Sequence, residues 1–198
     1  MKTEIEVKFY QVDVEDIRRR LRDADATLVQ PMRLMRRALI EEPQHQQIHS
    51  FIRIRDEGDK VTLTYKRRSD SAASQIDGTK EIEVVVSDFE DTVMLFQEAG
   101  WQYKTFQESK RETWQLGGAE IVIDEWPWLQ PYIEIEADSE SEVRDASEKL
   151  GLSWDDKLIG HLDALYEKEY EFAENFRGVI DVREVRFDAP LPKQLKAR

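Results

Sequence analysis

The chain has 198 residues, a formal net charge of −13 and no cysteine. This excludes disulfides, thiolate metal sites and cysteine nucleophiles, and the acidic balance opposes general binding to a nucleic-acid backbone. No apolar run approaches the length of a membrane span, and Met1 and Lys2 lead straight into alternating charge, so the expectation is a cytoplasmic protein without a secretory leader and without membrane or nucleic-acid partners.

Period-two alternation dominates and predicts a β-rich α+β protein. The first strand covers residues 4–10, where Glu4, Glu6 and Lys8 alternate with Ile5, Val7 and Phe9. Asp13 caps a helix to about Arg22, with Val14, Ile17 and Leu21 on its inner face. Strands follow at 32–41, 49–56 and 60–67, the last two joined by the turn signal Asp56-Glu57-Gly58-Asp59. The Ser/Ala-rich stretch 69–77 reads as a mobile loop, and the Asp77-Gly78 turn leads into a strand at 79–86. Ser87 and Glu90 offer a capping box for a second helix that Gly100 ends.

Strands at 104–115 and 120–125 flank Gly117-Gly118. After them, Trp126-Pro127-Trp128 reads as packing at a barrel end in preference to a stacking platform for a ligand ring. A strand at 132–137 precedes a third helix, with Ser139 and Glu142 as its capping box and Gly151 as its stop. A longer helix is expected from after Ser153 to about Phe172, its first acids Asp155 and Asp156 serving the cap and dipole, with a lid role for Lys157 as the second reading. A strand at 179–187 and a loose basic tail over 190–198 complete the chain. His45, His49 and His161 lack metal-like spacing and read as surface or loop residues.

The polar faces of these strands carry a regular charge pattern. Acid-apolar-acid occurs at 4–6, 81–83 and 134–136, base-apolar-base at 53–55, and Thr62, Thr64 and Lys66 share one face. A solvated antiparallel sheet gives the same alternation, but here the opposite faces are Ile, Val, Leu and Phe, and amphipathic helices are available to cover them. With the helices outside, the charges turn inward, which gives a closed eight-stranded antiparallel barrel with a polar lumen. Enclosed charges need compensation. A polyanion with Mg²⁺ or Mn²⁺ supplies it, since carboxylates are hard oxygen ligands and Arg and Lys bind phosphate oxygens.

The motif Glu4-x-Glu6-x-Lys8 resembles the N-terminal signature of the CYTH superfamily, the triphosphate tunnel metalloenzymes. The resemblance continues in order through Arg53-Ile54-Arg55, Lys66, Glu81-Ile82-Glu83, Arg111 followed by Trp114, Asp124 and Glu134-Ile135-Glu136. It implies a tunnel domain over residues 1–175, with 176–198 as a C-terminal extension. It also implies Glu4, Glu6, Glu134 and Glu136 as catalytic metal ligands, Asp124 as a further ligand, and Glu81 and Glu83 in support. Lys8, Arg53, Arg55, Lys66 and Arg111 would hold the phosphate chain. Two departures stand out: Ser109 occupies a usual Lys position, with Lys110 on the other face, and Arg36-Arg37 replace the Asp and Tyr common in the second strand.

The implied activity is metal-dependent hydrolysis of inorganic triphosphate, thiamine triphosphate or a nucleoside triphosphate. A class IV adenylyl cyclase, making cyclic AMP and pyrophosphate from ATP, is the alternative, and a non-catalytic polyphosphate-binding module is the third reading. For the segment after Gly178 the alternatives are an added edge strand, a plug in one tunnel mouth, or a homodimer contact.

Overall fold

The computed structural model describes residues 2–68 and 79–198, without the side chains of residues 2–4 and 68. The expected loop 69–77 and the Asp77-Gly78 turn lie outside the described residues. Eight long strands form the body: β1 (Lys2–Tyr10), β2 (Thr27–Ile40), β3 (Ser50–Asp56), β4 (Val61–Arg68), β5 (Thr79–Val86), β6 (Thr105–Leu116), β7 (Ala119–Glu125) and β8 (Tyr132–Ala137). Their neighbour order is β6-β2-β3-β4-β5-β1-β8-β7, and β7 pairs back onto β6. All these pairings are antiparallel. Each strand therefore has two partners and the ring closes, which leaves no free edge within it.

Alternation decides which residues face out. Val7 and Phe9 of β1, Ile121 and Ile123 of β7, and Ile133 and Ile135 of β8 form one core. Over it lie α1 (Val14–Asp23) and α4 (Glu140–Lys149), which contribute Ile17, Leu21, Val143 and Ala146. Asp13 accepts the Asp16 amide at 3.0 Å and Ser139 accepts that of Glu142 at 3.3 Å, so both expected caps are present. On the other side Phe89, at the start of α3 (Phe89–Glu98), packs on Ala38, Ile40 and Ile54. Ile135 is fully buried, so Ile135→Val should cost about 0.5–1.5 kcal/mol. A lowered urea midpoint with an unchanged denaturant slope is the expected signature.

Several expectations are corrected. The α3 cap is Asp88, which accepts the Asp91 amide at 2.8 Å, one residue later than the Ser87 box. A short α2 (Pro43–Gln47) fills the connection from β2 to β3, and it buries His45, whose Nδ1 accepts the Glu42 amide at 3.1 Å. The long fourth helix does not form. Leu158 and Lys8 exchange backbone hydrogen bonds at 2.9 and 2.8 Å, which ties this stretch to β1 as a bridge, and Gly160 follows at φ 114°. Helix is confined to a 3₁₀ turn at Trp154–Asp156 and to α5 (Asp163–Glu169).

Beyond α5 come β9 (Tyr170–Phe172), β10 (Glu184–Val185) and β11 (Leu195–Ala197). The expected strand over 179–187 is reduced to β10, parallel to β6, after a 3₁₀ turn at Val179–Asp181. The tail is not loose, because β11 pairs with β9 and buries Leu195 in a cluster with Trp126, Tyr132, Leu165, Tyr166, Val179 and Val185. Lys157 stays over the Trp154 ring, 4.8 Å from its centre. Among the described residues no helix is long and apolar enough to cross a membrane.

Candidate active site

The barrel encloses a cavity of about 870 Å³. Every residue expected in the site whose side chain is described lines it: Glu6, Lys8, Arg53, Arg55, Lys66, Glu81, Glu83, Arg111, Asp124, Glu134 and Glu136. The Glu4 backbone lies on β1, but its side chain is outside the description. Alternation brings these residues together, because side chains two apart on a strand share one face of a wall that closes.

One wall is dominated by carboxylates. The Lys8 ammonium lies 2.7 Å from Glu6 and 3.2 Å from Glu134 and is 3% exposed. Burial alone would lower the Lys8 pKa, but the carboxylates of Glu134 and Glu6 outweigh it and raise it. Arg111 holds both oxygens of Asp124, at 2.7 and 2.5 Å, and reaches Glu134 at 3.0 Å. Glu6 stands directly across from Glu136, and Glu136 across from Glu120 of β7. Glu120 also lines the cavity. It was missed in the sequence, although it shares the period-two face of Asp124. Like charges in register repel, so this row favours a cation.

Burial would raise the Glu134 pKa, yet Lys8 and Arg111 bring it down to about 2 from 4.5. A carboxyl whose folded pKa is depressed adds stability above its unfolded value and loses it as pH falls through the folded value. Stability should therefore decline as pH drops from about 4.5 toward about 2. Urea melts across that range should show this slope, and Glu134→Gln should flatten it.

The opposite wall is basic. Arg53 donates to Thr64 at 3.2 Å and Glu83 at 3.4 Å, and Lys66 lies 3.2 Å from Glu81. In β2 the register resolves the arginine pair. Arg36 turns out to Asp56 at 2.9 Å and Glu90 at 2.7 Å, while Arg37 turns in. Ser109 is buried, and Lys110 points away toward Glu125 at 3.3 Å.

Arg37 differs from the other cations. Its Nε donates to Gln107 at 2.9 Å and its guanidinium lies 4.2 Å from the Trp126 ring centre. Among the described residues no carboxylate lies within ion-pair distance of it. Burial, with Arg53 and Arg55 nearby, pushes its pKa down to about 9.

Sequence reading missed Glu57 and Arg33. Glu57 is 5% exposed although it belongs to the hairpin turn, and its carboxylate holds Arg55 at 2.6 Å and faces Arg33 at 3.7 Å. A turn signal carries no mark of a side chain that folds back inward. His49 and His161, both in connecting segments as expected, also line the cavity.

The donor set suits a hard divalent cation, since carboxylate oxygens from β1 and β8 already converge on the Lys8 ammonium. Among the described residues no group of three such side chains is drawn together into a ready cage.

The profile of the CYTH domain family matches residues 2–159. No match to a curated protein was found. Among solved structures, a Pyrococcus horikoshii protein is 24% identical, with a TM-score of 0.63 over 78% of this chain and 93% of its own. A candidate adenylate cyclase from Vibrio parahaemolyticus is 11% identical, with a TM-score of 0.67 over 84% and 98%. A Hippeastrum protein, a candidate adenylyl cyclase described as having a dominant triphosphatase activity, is 15% identical, with a TM-score of 0.54 over 83% and 95%. At these identities the likeness establishes the fold.

Proposed function

The chain belongs to the CYTH domain family, and on that premise we propose that it hydrolyses a triphosphate-containing small molecule with the help of a divalent metal. The observation that carries this reading is Arg37, a guanidinium inside a basic wall with no carboxylate partner among the described residues. An uncompensated cation there is costly unless the cavity's ligand is a polyanion.

Glu6, Glu134 and Glu136, with Glu4 on the same strand, would hold Mg²⁺ or Mn²⁺, which when bound supplies charge neutralisation and activation of water. Arg37, Arg53, Arg55, Lys66 and Arg111 take phosphate oxygens and hold the phosphate chain in substrate and transition state alike. Asp124 has both oxygens on Arg111, so its role is to orient that guanidinium. Lys8 adds a compact positive charge at the acidic wall, and Glu81 and Glu83 steady Lys66 and Arg53.

Glu57 aims Arg55. Glu57→Gln should raise KM for triphosphate several-fold with kcat near wild type, because ground-state and transition-state binding fall together. Steady-state kinetics on the two proteins provide the check.

The reaction itself is tested by incubating the protein with Mg²⁺ or Mn²⁺ and, separately, inorganic triphosphate, thiamine triphosphate and ATP. Phosphate release from one of them supports hydrolysis. Cyclic AMP and pyrophosphate from ATP would replace this reading with cyclisation, and tight binding without turnover would leave a polyphosphate-binding module.

A further inference from the structure

The cavity wall does not end where the family match ends at residue 159. Residues beyond it also line the cavity, among them Asp163 and Val179. Two hydrogen bonds fix this stretch. Asp163, at the start of α5 and 9% exposed, accepts the Val179 amide at 2.9 Å. The Val179 carbonyl accepts from Nε2 of Gln107 at 3.3 Å.

Gln107 lies on the lumen face of β6, is 1% exposed, and accepts Arg37 Nε on its own Oε1 at 2.9 Å. A carboxamide can serve both partners in only one orientation, with its oxygen toward Arg37 and its NH₂ toward the Val179 carbonyl. A continuous chain therefore runs from Asp163 through Val179 and Gln107 to Arg37. The Trp126 ring that faces Arg37 packs in the same apolar cluster as Val179, Leu165 and Tyr166. Both the edge and the face of the guanidinium are thus held by groups that the C-terminal stretch orders.

Gly178 permits the close approach. At φ 112° a Cβ there would lie 2.0 Å from Asp163 Oδ1, so a side chain would push the Val179 amide off its acceptor.

We propose that the stretch after residue 159, outside the family match, is a positioning element of the polyanion site, aiming Arg37 into the cavity through Val179 and Gln107. The inference rests on the triphosphate reading, because the phosphate chain is the ligand that Arg37 then meets. Coupling of this kind is reciprocal: ordering the stretch strengthens triphosphate binding, and bound triphosphate tightens the stretch.

The test uses the full chain with inorganic triphosphate as the probe. Calorimetric affinity and steady-state kinetics are measured for wild type, Asp163→Ala, Asp163→Asn and Gln107→Leu, each checked for fold by circular dichroism. Hydrogen exchange of the Val179 amide is followed with and without triphosphate, in wild type and in Arg37→Ala.

Asp163→Ala and Gln107→Leu should weaken affinity on the order of tenfold, as expected for losing a hydrogen bond that serves a charged group. KM should rise while kcat stays within about twofold. Asp163→Asn keeps an acceptor oxygen and should bind as wild type. Triphosphate should slow Val179 exchange in wild type but not in Arg37→Ala.

Unchanged affinity in both Asp163→Ala and Gln107→Leu, or Val179 exchange indifferent to triphosphate, overturns the inference. Should those variants not fold, the exchange comparison between wild type and Arg37→Ala decides alone. A wild type that binds no triphosphate removes the functional reading and this inference with it, whereas unchanged variants remove only the inference.

Discussion

Glu6→Gln should lower metal-dependent triphosphate turnover at least about 10²-fold and leave the barrel folded. Glutamine keeps the shape of the side chain and an oxygen to accept from Lys8, 2.7 Å away, but it loses the charge a divalent cation requires. Lys8 retains Glu134 at 3.2 Å, so no buried ammonium is stranded. The Glu6–Glu136 register also becomes less repulsive, which offsets part of any structural loss. Phosphate release and the urea midpoint, measured together, separate the two effects. Activity within a few-fold of wild type at an unchanged midpoint would remove β1 from the metal-binding role.

Glu134→Ala is expected to act on stability first, at about 3 kcal/mol. Its carboxylate joins Lys8 and Arg111, two cations that reach the solvent poorly. The cost lies at the low end for a broken buried pair because Lys8 keeps Glu6 and Arg111 keeps Asp124. Glu134→Gln should recover much of the stability and little of the activity, since it restores hydrogen bonding without charge. Denaturant melts of both variants at neutral pH provide the comparison. Equal stability of Glu134→Ala and wild type would mean that Lys8 and Arg111 are adequately compensated without it.

The barrel was legible because its information is local and periodic. An inward Glu or Arg beside an outward Ile fixes the face of each strand, and one residue of slip would turn the charges outward. Tyr132–Ala137 and Thr79–Val86 were therefore read with their observed bounds. Closure followed from a balance between charged inner faces and apolar outer ones, and the ring of pairings agrees with it. The inward turn of Arg37 in place of Arg36 could not be read, because both arginines fit the pattern until the β2–β6 register is set by long-range pairing.

Elements after β8 were legible only in part, since their conformations depend on what they dock against. Leu158 has the neighbours of a helix in sequence but is held by the Lys8 backbone. The basic tail lacks strong strand alternation, yet β9 offers an edge that orders Leu195–Ala197. In the site, Glu57 was hidden behind a turn signal. Gln107 shares the period-two face of Ser109 and Arg111, but an uncharged residue among charged ones carried no mark of its partnership with Arg37.

Calorimetric titration of inorganic triphosphate into the metal-free protein at two salt concentrations tests the central claim most directly. The charged lumen predicts one site per chain, weakened by salt and weakened further, on the order of tenfold or more, in Arg37→Ala. Absence of binding, or binding that Arg37→Ala leaves unchanged, would contradict it.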